Sequence, residues 1–206
     1  NVELKYKGWP NLHMNALLQS GWTKGDNSPI VLNGDLISWR RTHNEIVETI
    51  QKILLRNQPI NHLSKQLPVR INSRSLEHLN IQQIEAVNLV KSQQIILLSG
   101  GPGTGKTSTI LQMLLQALTR NPTLNIAMAA PTGKAAKKLK DTIQAGIEDF
   151  EDPIKDTLSN IPSKTLHKWL EAGPNGFRRN SQRLLKLDLI VIDEMSMVDL
   201  STINGL

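Results

Sequence analysis

Gly100-Gly101-Pro102-Gly103-Thr104-Gly105-Lys106-Thr107 fits the pattern G-x-x-x-x-G-K-[ST] at every fixed position. Its glycines let backbone N–H groups curl around phosphate oxygens with no Cβ in the way. A helix beginning near Lys106 adds unpaired N–H groups and the positive end of its dipole. In such a loop the lysine, here Lys106, reaches the β- and γ-phosphates, and the Thr107 hydroxyl is a ligand for Mg²⁺. Gly-rich turns also join ordinary strands to helices, so the flanks decide. On one side, Gln94–Ser99 holds a continuous apolar run, Ile95–Leu98, suited to a buried parallel strand. On the other, Ile110, Leu111, Leu114, Leu115 and Leu118 make a broad apolar stripe over a helix spanning Lys106–Thr119.

Outward from the loop the pattern alternates. Before it, Ile84, Val87 and Val90 share one side of a helix over Gln82–Lys91. After it come a strand over Asn125–Ala130, a helix over Thr132–Ile147 and a strand over Asp188–Ile192. This order predicts an α/β domain with a parallel sheet covered on both faces. The last strand, Leu189–Ile192, projects Asp193 and Glu194 from its C-terminal end, where α/β sheets bind ligands. Asp193 is the candidate to hold Mg²⁺, and Glu194 the candidate general base for an attacking water. Alone, Asp-Glu after a strand is equally a solvated strand end; the upstream loop favours the site. Lys106, Asp193 and Glu194 are therefore the candidate catalytic residues, with Thr107 and Asp193 as metal ligands.

The first 78 residues read as a separate, small α+β region. Asn33-Gly34 between Pro29–Leu32 and Asp35–Trp39 predicts a hairpin with a type I′ turn. Ile46, Ile50, Ile53 and Leu54 recur at helical spacing and predict a helix over Thr42–Arg56. Trp9, Trp22 and Trp39 suggest a small core of its own, and Asn57–Ser75, with Pro59 and Pro68, reads as a connector. The expected domains are 1–78 and 79–206.

The 206 residues are 39% hydrophobic and 20% charged, a globular composition. No apolar run reaches the length of a membrane-spanning helix. Cysteine is absent, which excludes disulfides, thiolate metal sites and thiol catalysis. The opening at Asn1 shows no charged-then-apolar leader, so the expectation is a protein without a signal peptide, in the cytoplasm. The net charge of +6 and a pI near 9.7 favour a polyanionic partner, nucleic acid first.

Four further segments are similar to those of superfamily 1 DNA helicases: Leu79–Ala86 (L-N-x-x-Q-x-x-A), Ala129–Ala136 (A-A-P-T-G-K-A-A), Thr165–His167 (T-L-H) and Asp193–Leu200 (D-E-M-S-M-V-D-L). Met195 stands where the usual form of the last has Ala. The combination most resembles the helicase subunits of recombination and repair nucleases of the exodeoxyribonuclease V type. Ser28–Leu32 followed by Trp39-Arg40-Arg41 resembles their N-terminal, partner-contacting region. The resemblance implies a RecA-like fold, ATP and Mg²⁺ as cofactors, single- and double-stranded DNA as substrate, and RecB- and RecC-like partner subunits. It implies that Gln83 reads adenine, since an amide donates and accepts at once, and that Gly101, Pro102, Gly103, Thr104, Gly105, Lys106 and Thr107 hold the nucleotide.

The resemblance further implies that Pro131, Thr132, Gly133, Lys134, Thr165 and His167 contact single-stranded DNA. A Thr hydroxyl, a close approach at Gly and a helix N-terminus suit phosphate, and Lys137, Lys138 and Lys140 add charge nearby. His167 and Trp169 are alternatively core residues. Helicases of this type carry a second RecA-like domain with arginine fingers. The chain ends soon after Asp193, so the expectation is the N-terminal part of a longer 5′→3′ motor, nearly inactive alone. A stand-alone P-loop ATPase, a free-standing helicase outside any nuclease complex and a silent docking module remain as alternatives.

Overall fold

The computed structural model describes residues 4–5, 9–57, 79–101, 103–148, 154–180 and 182–206. The chain forms two compact units, Asn1–Leu54 and Leu55–Leu206. The expected connector beyond Asn57 and the expected boundary after residue 78 lie outside the described residues.

In the first unit, β1 (Leu4–Lys5), β3 (Leu36–Trp39) and β2 (Ile30–Asn33) form an antiparallel sheet in the order β1-β3-β2. Helix α1 (Asn11–Gln19) precedes the hairpin, and α2 (Arg40–Arg56) follows it directly. The hairpin stands where Asn-Gly pointed, one residue later than a turn centred on Asn33-Gly34. Asn33 pairs with Leu36, so the central residues are Gly34 and Asp35. Gly34 has φ +58, and Asp35 is not among the residues of positive φ. That is the sign pattern of a type II′ turn, which needs glycine at the first central position only. Arg40 ties the hairpin's base together: its Nε donates to the Ser28 carbonyl at 3.0 Å and its Nη2 to Ser28 Oγ at 2.7 Å. The tryptophans do not form the expected core. Trp9, Trp22 and Trp39 are 39%, 54% and 60% exposed, while Ile30, Ser28, Ser38 and Thr49 are buried. A three-stranded sheet of two- to four-residue strands has too little area to cover large rings.

The second unit carries the parallel sheet. Its order is β5 (Ser163–Thr165), β4 (Ile126–Ala130), β8 (Leu189–Ile192). Both pairings are parallel, with Ala130 opposite Thr165 and Ala129 opposite Ile192. The central strand β4 is buried along its whole length, as its apolar run demands. Asn125 and Asp188 fasten the N-terminal ends of β4 and β8: the Asn125 N–H donates to Asp188 Oδ2 at 2.8 Å. Helix α3 (Ile81–Leu89) packs on α4 (Lys106–Arg120), and α5 (Gly133–Ala145) follows β4. Leu111, Leu114, Leu115 and Leu118 of α4 meet Ile126 and Met128 of β4 and Leu139 and Ile143 of α5 in one core. Each such buried Leu or Ile contributes about 1.5–3 kcal/mol relative to exposure. The short helices α6 (Ile154–Ser159) and α7 (Leu166–Trp169), the hairpin β6 (Ala172–Gly173) and β7 (Gly176–Phe177), and a final helix α8 (Leu200–Asn204) complete the unit.

The expected strand over Gln94–Ser99 does not form. Residues 94–99 join no sheet, and Leu97 is 82% exposed. A strand is made by pairing as much as by apolarity. β5 and β8 take both edges of β4, and the run pairs with neither of their outer edges among the described residues. No helix among the described residues is long and apolar enough to cross a membrane.

Candidate functional site

The phosphate-loop sequence folds as a turn that delivers the chain into α4. Gly103 and Gly105 take φ +74 and +78, the left-handed region that glycine enters without penalty. Gly105 caps α4, whose first turn carries no acidic side chain, so its unpaired N–H groups and dipole favour an anion. Lys106 folds back along the loop. Its Nζ donates to the Gly100 carbonyl at 2.6 Å and the Gly101 carbonyl at 2.8 Å. Thr104 Oγ1 also donates to the Gly101 carbonyl, at 2.8 Å. The loop thus gathers an ammonium group, helix N–H groups and glycine backbone in one place, a donor set that fits phosphate. Thr107 lies in the first turn of α4; Pro102 lies outside the described residues.

Gln83 sits at the third position of α3, in a capping box with Asn80. Its side chain reaches the loop, where Nε2 donates to the Thr104 carbonyl at 3.1 Å. Its Oε1 accepts the Asn80 N–H at 2.8 Å. Both ends of the amide therefore have main-chain partners.

The carboxylate pair leaves β8 at the C-terminal edge of the sheet. The Asp193 N–H donates to the Ala129 carbonyl at 3.0 Å, extending the β4–β8 ladder by one bond. Asp193 Oδ1 accepts the Glu194 N–H at 2.9 Å. Glu194 has φ +54, unusual for a residue with a side chain. It opens the 3₁₀ turn Met195–Met197 and lifts an exposed carboxylate off the strand end. Oxygen donors such as the Thr107 hydroxyl and the Asp193 carboxylate suit a hard cation like Mg²⁺. Among the described residues no group of three His, Asp or Glu side chains forms a self-sufficient metal site.

The other two motifs emerge at the same edge. Thr132 caps α5 at the end of β4, its Oγ1 accepting the Ala135 N–H at 3.2 Å. Thr165 caps α7 at the end of β5, its Oγ1 accepting the Lys168 N–H at 3.3 Å. Because Ala130 is level with Thr165, two helix N-termini lie beside one another, each behind a threonine. Pro131 is half-buried, whereas Thr132, Gly133 and Lys134 are exposed, as are Lys137 and Lys138. Trp169 faces inward, its Nε1 donating to the Met128 carbonyl at 2.9 Å. His167 is exposed and makes an edge contact with Phe177, ring centroids 5.8 Å apart.

Sequence reasoning passed over the surroundings of His167. Asp199 caps α8; the Ser201 hydroxyl and then the Thr202 N–H hold its carboxyl below the usual range, with a smaller contribution from His167. Glu171, at φ +53, pairs with both Arg179 and Arg183 at the base of the β6–β7 hairpin. Asn175-Gly176, the same kind of turn dipeptide as Asn33-Gly34, was the available signal for this hairpin.

A family model described as AAA domain matches residues 83–206. Over 128 residues the chain is 38% identical to the RecBCD enzyme subunit RecD of Mycolicibacterium smegmatis, covering 58% of this chain and 23% of that one. Over 135 residues it is 40% identical to the RecBCD enzyme subunit RecD of Haemophilus influenzae, covering 60% and 20%. The ATP-dependent RecD2 DNA helicase of Deinococcus radiodurans is 28% identical over 128 residues, covering 62% and 15%. The alignments thus span less than a quarter of these relatives' length. Parallel sheet, phosphate loop and strand-end carboxylates together make a RecA-like P-loop fold, and the chain belongs to the AAA domain family.

Proposed function

We propose that the chain carries the nucleotide half-site and part of the DNA track of an ATP-dependent DNA helicase, working with RecB- and RecC-like subunits in a recombination and repair nuclease in the cytoplasm. The observation that supports this best is the shared edge of one parallel sheet: Thr165, Pro131–Lys134 and Asp193-Glu194 leave adjacent strands at one level. A phosphate-holding loop alone would suit many ATPases. Two threonine-capped helix N-termini beside the carboxylate pair, one at the exposed Thr132 and one at the half-buried Thr165, also suit the backbone of a nucleic acid strand.

In this reading Lys106 and the loop N–H groups bind the β- and γ-phosphates, and Thr107 and Asp193 hold Mg²⁺. MgATP supplies the free energy of phosphoryl transfer to water. Glu194, exposed and held off the strand end, takes the proton of the attacking water. Thr132, Gly133, Lys134 and Thr165 bind DNA phosphates, so movement at the loop passes through α4 and the sheet to the track. Residues 1–78 dock a partner subunit. Facing arginines from a second domain complete the half-site in this proposal.

MgATP titration and steady-state hydrolysis by the 206-residue chain test this. The chain should bind MgATP, and Lys106→Ala should weaken binding at least about tenfold, since it removes a charge-assisted hydrogen bond to phosphate. Turnover, with or without single-stranded DNA, should be on the order of 0.01 per second or less, as in P-loop enzymes without a facing arginine. Absence of MgATP binding, or turnover of about ten per second, the median for enzymes, would contradict the half-site.

A further inference from the structure

The positive charge of the chain is concentrated. Between Lys164 and Lys186 the sequence holds six Lys or Arg residues against one acidic residue, Glu171, a net +5 in a chain whose total is +6. The stretch runs from β5 through α7 and the β6–β7 hairpin toward β8. Lys168, Arg178 and Arg183 are exposed. At their centre Glu171 pairs through Oε1 with Arg179 Nη2 and through Oε2 with Arg183 Nη2, the latter at 3.1 Å. Main chain gathers the others. The Arg178 N–H donates to the Glu171 carbonyl, and the Glu171 N–H to the Lys168 carbonyl, both at 3.3 Å.

Glu171 is an ill-suited occupant of this place. Its φ of +53 is a conformation that residues with side chains rarely adopt. Its two oxygens are split between two guanidinium groups. Arg179 Nη1 reaches the Leu184 carbonyl at 3.1 Å, yet Arg179 Nε is buried with no partner among the described residues. A nucleic acid phosphate also presents two charged oxygens, and it is a group that arginine forks match. Sites for single strands add aromatic rings on which bases stack. Here the two nearby rings are half-buried and engaged: Trp169 donates to the Met128 carbonyl and has Lys164 Nζ over its face, and Phe177 meets His167. Charge without a stacking platform suits a duplex, whose bases already stack on one another. We propose that this patch is a second nucleic acid contact, at the opposite end of α7 from Thr165. Arg179 and Arg183 take a backbone phosphate of a DNA duplex, and the Glu171 carboxylate holds their place until it arrives. The choice of DNA rests on the helicase reading above; the charge and the pairing do not.

Fluorescence anisotropy of a labelled blunt DNA duplex and of a labelled single strand, each with the 206-residue chain over a salt series, tests this. Glu171→Gly removes the carboxylate and leaves a residue at ease with positive φ, so the hairpin should stand, which thermal unfolding checks. Duplex affinity should rise about fivefold, the scale of one hydrogen bond exchanged. Arg183→Gln should lower it by a similar factor of about five and make the salt slope shallower by about one, since one phosphate contact is lost. Single-strand affinity should change by less than about twofold in both, because separate contacts act independently. Glu148→Gln, at an exposed carboxylate after α5, controls for net charge and should leave duplex affinity within about twofold. A folded Glu171→Gly chain that bound duplex no tighter, or an Arg183→Gln chain that bound it as well as before, would overturn the proposal and leave the patch to an acidic protein segment. Equal tightening in Glu148→Gln would overturn it too, by making the effect one of net charge. A chain that bound single strands but no duplex would remove this inference alone; binding of neither would also remove the nucleic acid part of the proposed function.

Discussion

Glu194, the general base of the proposed function, stands against its own backbone preference. Its φ of +54 places a side-chain-bearing residue in the left-handed region, where an L-residue loses about 1–2 kcal/mol relative to glycine. The same geometry leaves Glu194 exposed just past β8, where the proposed general base would act. Glu194→Gly should therefore raise thermal stability by about 1 kcal/mol, while removing the DNA-stimulated ATP hydrolysis of the helicase proposed above. Chemical denaturation of the chain and ATPase assays of that helicase check the two halves. A destabilised Gly variant would mean that the side chain, not the backbone, holds this turn. At this scale the placement was legible: Lys106 opens α4 and Asp193 and Glu194 follow β8, as expected, while their roles belong to the proposed function. Gln83 was legible as a motif residue but not by its partners, because a capping box and a loop contact depend on how α3 meets the loop in space.

Elements were read well where periodicity and pairing agreed, and poorly where they parted. Helix α4 carries the expected stripe on its buried face, and β4 is buried throughout. Residues 95–98 have the same apolar character yet pair with no strand among the described residues, and sequence alone does not say which run finds a partner. The N-terminal hairpin was found from Asn33-Gly34, but its register moved by one residue because only Gly34 takes positive φ. The pieces between α5 and β8 are two to six residues long, too short for periodicity to mark them. Helix α8 offers a pH test. Asp199 has its carboxyl pKa lowered from 3.8 by the Ser201 hydroxyl and the Thr202 N–H. A depressed carboxyl pKa adds stability above the unfolded value and loses it as pH falls through the folded one. Unfolding of Asp199→Asn should thus differ from the unsubstituted chain by a constant amount at pH 6–8, and the difference should shrink below about pH 4. A difference that grew toward low pH would remove the role given to the cap.

At the scale of the whole chain, composition pointed to a polyanion, and the sheet edge supports where it would bind. A net charge of +6 is a poor address by itself, since basic surfaces are common. Two threonine-capped helix starts at the ends of neighbouring strands are a better one. The proposed track and the phosphate-loop sequence belong to the same unit, and α4 and β4 share its core. The measurement that tests this most directly is fluorescence anisotropy of labelled single-stranded oligonucleotides with the 206-residue chain over a salt series. Binding should be weak, indifferent to sequence and weaker as salt rises. Thr132→Ala with Lys134→Ala should lower affinity further and make the salt slope shallower by about one, because the lysine neutralises a single phosphate. MgATP affinity should stay within about twofold, because the loss of a helix cap costs only about 1 kcal/mol and leaves the loop standing. An affinity and slope unchanged by the double substitution would contradict the account and move the nucleic acid strand off this edge.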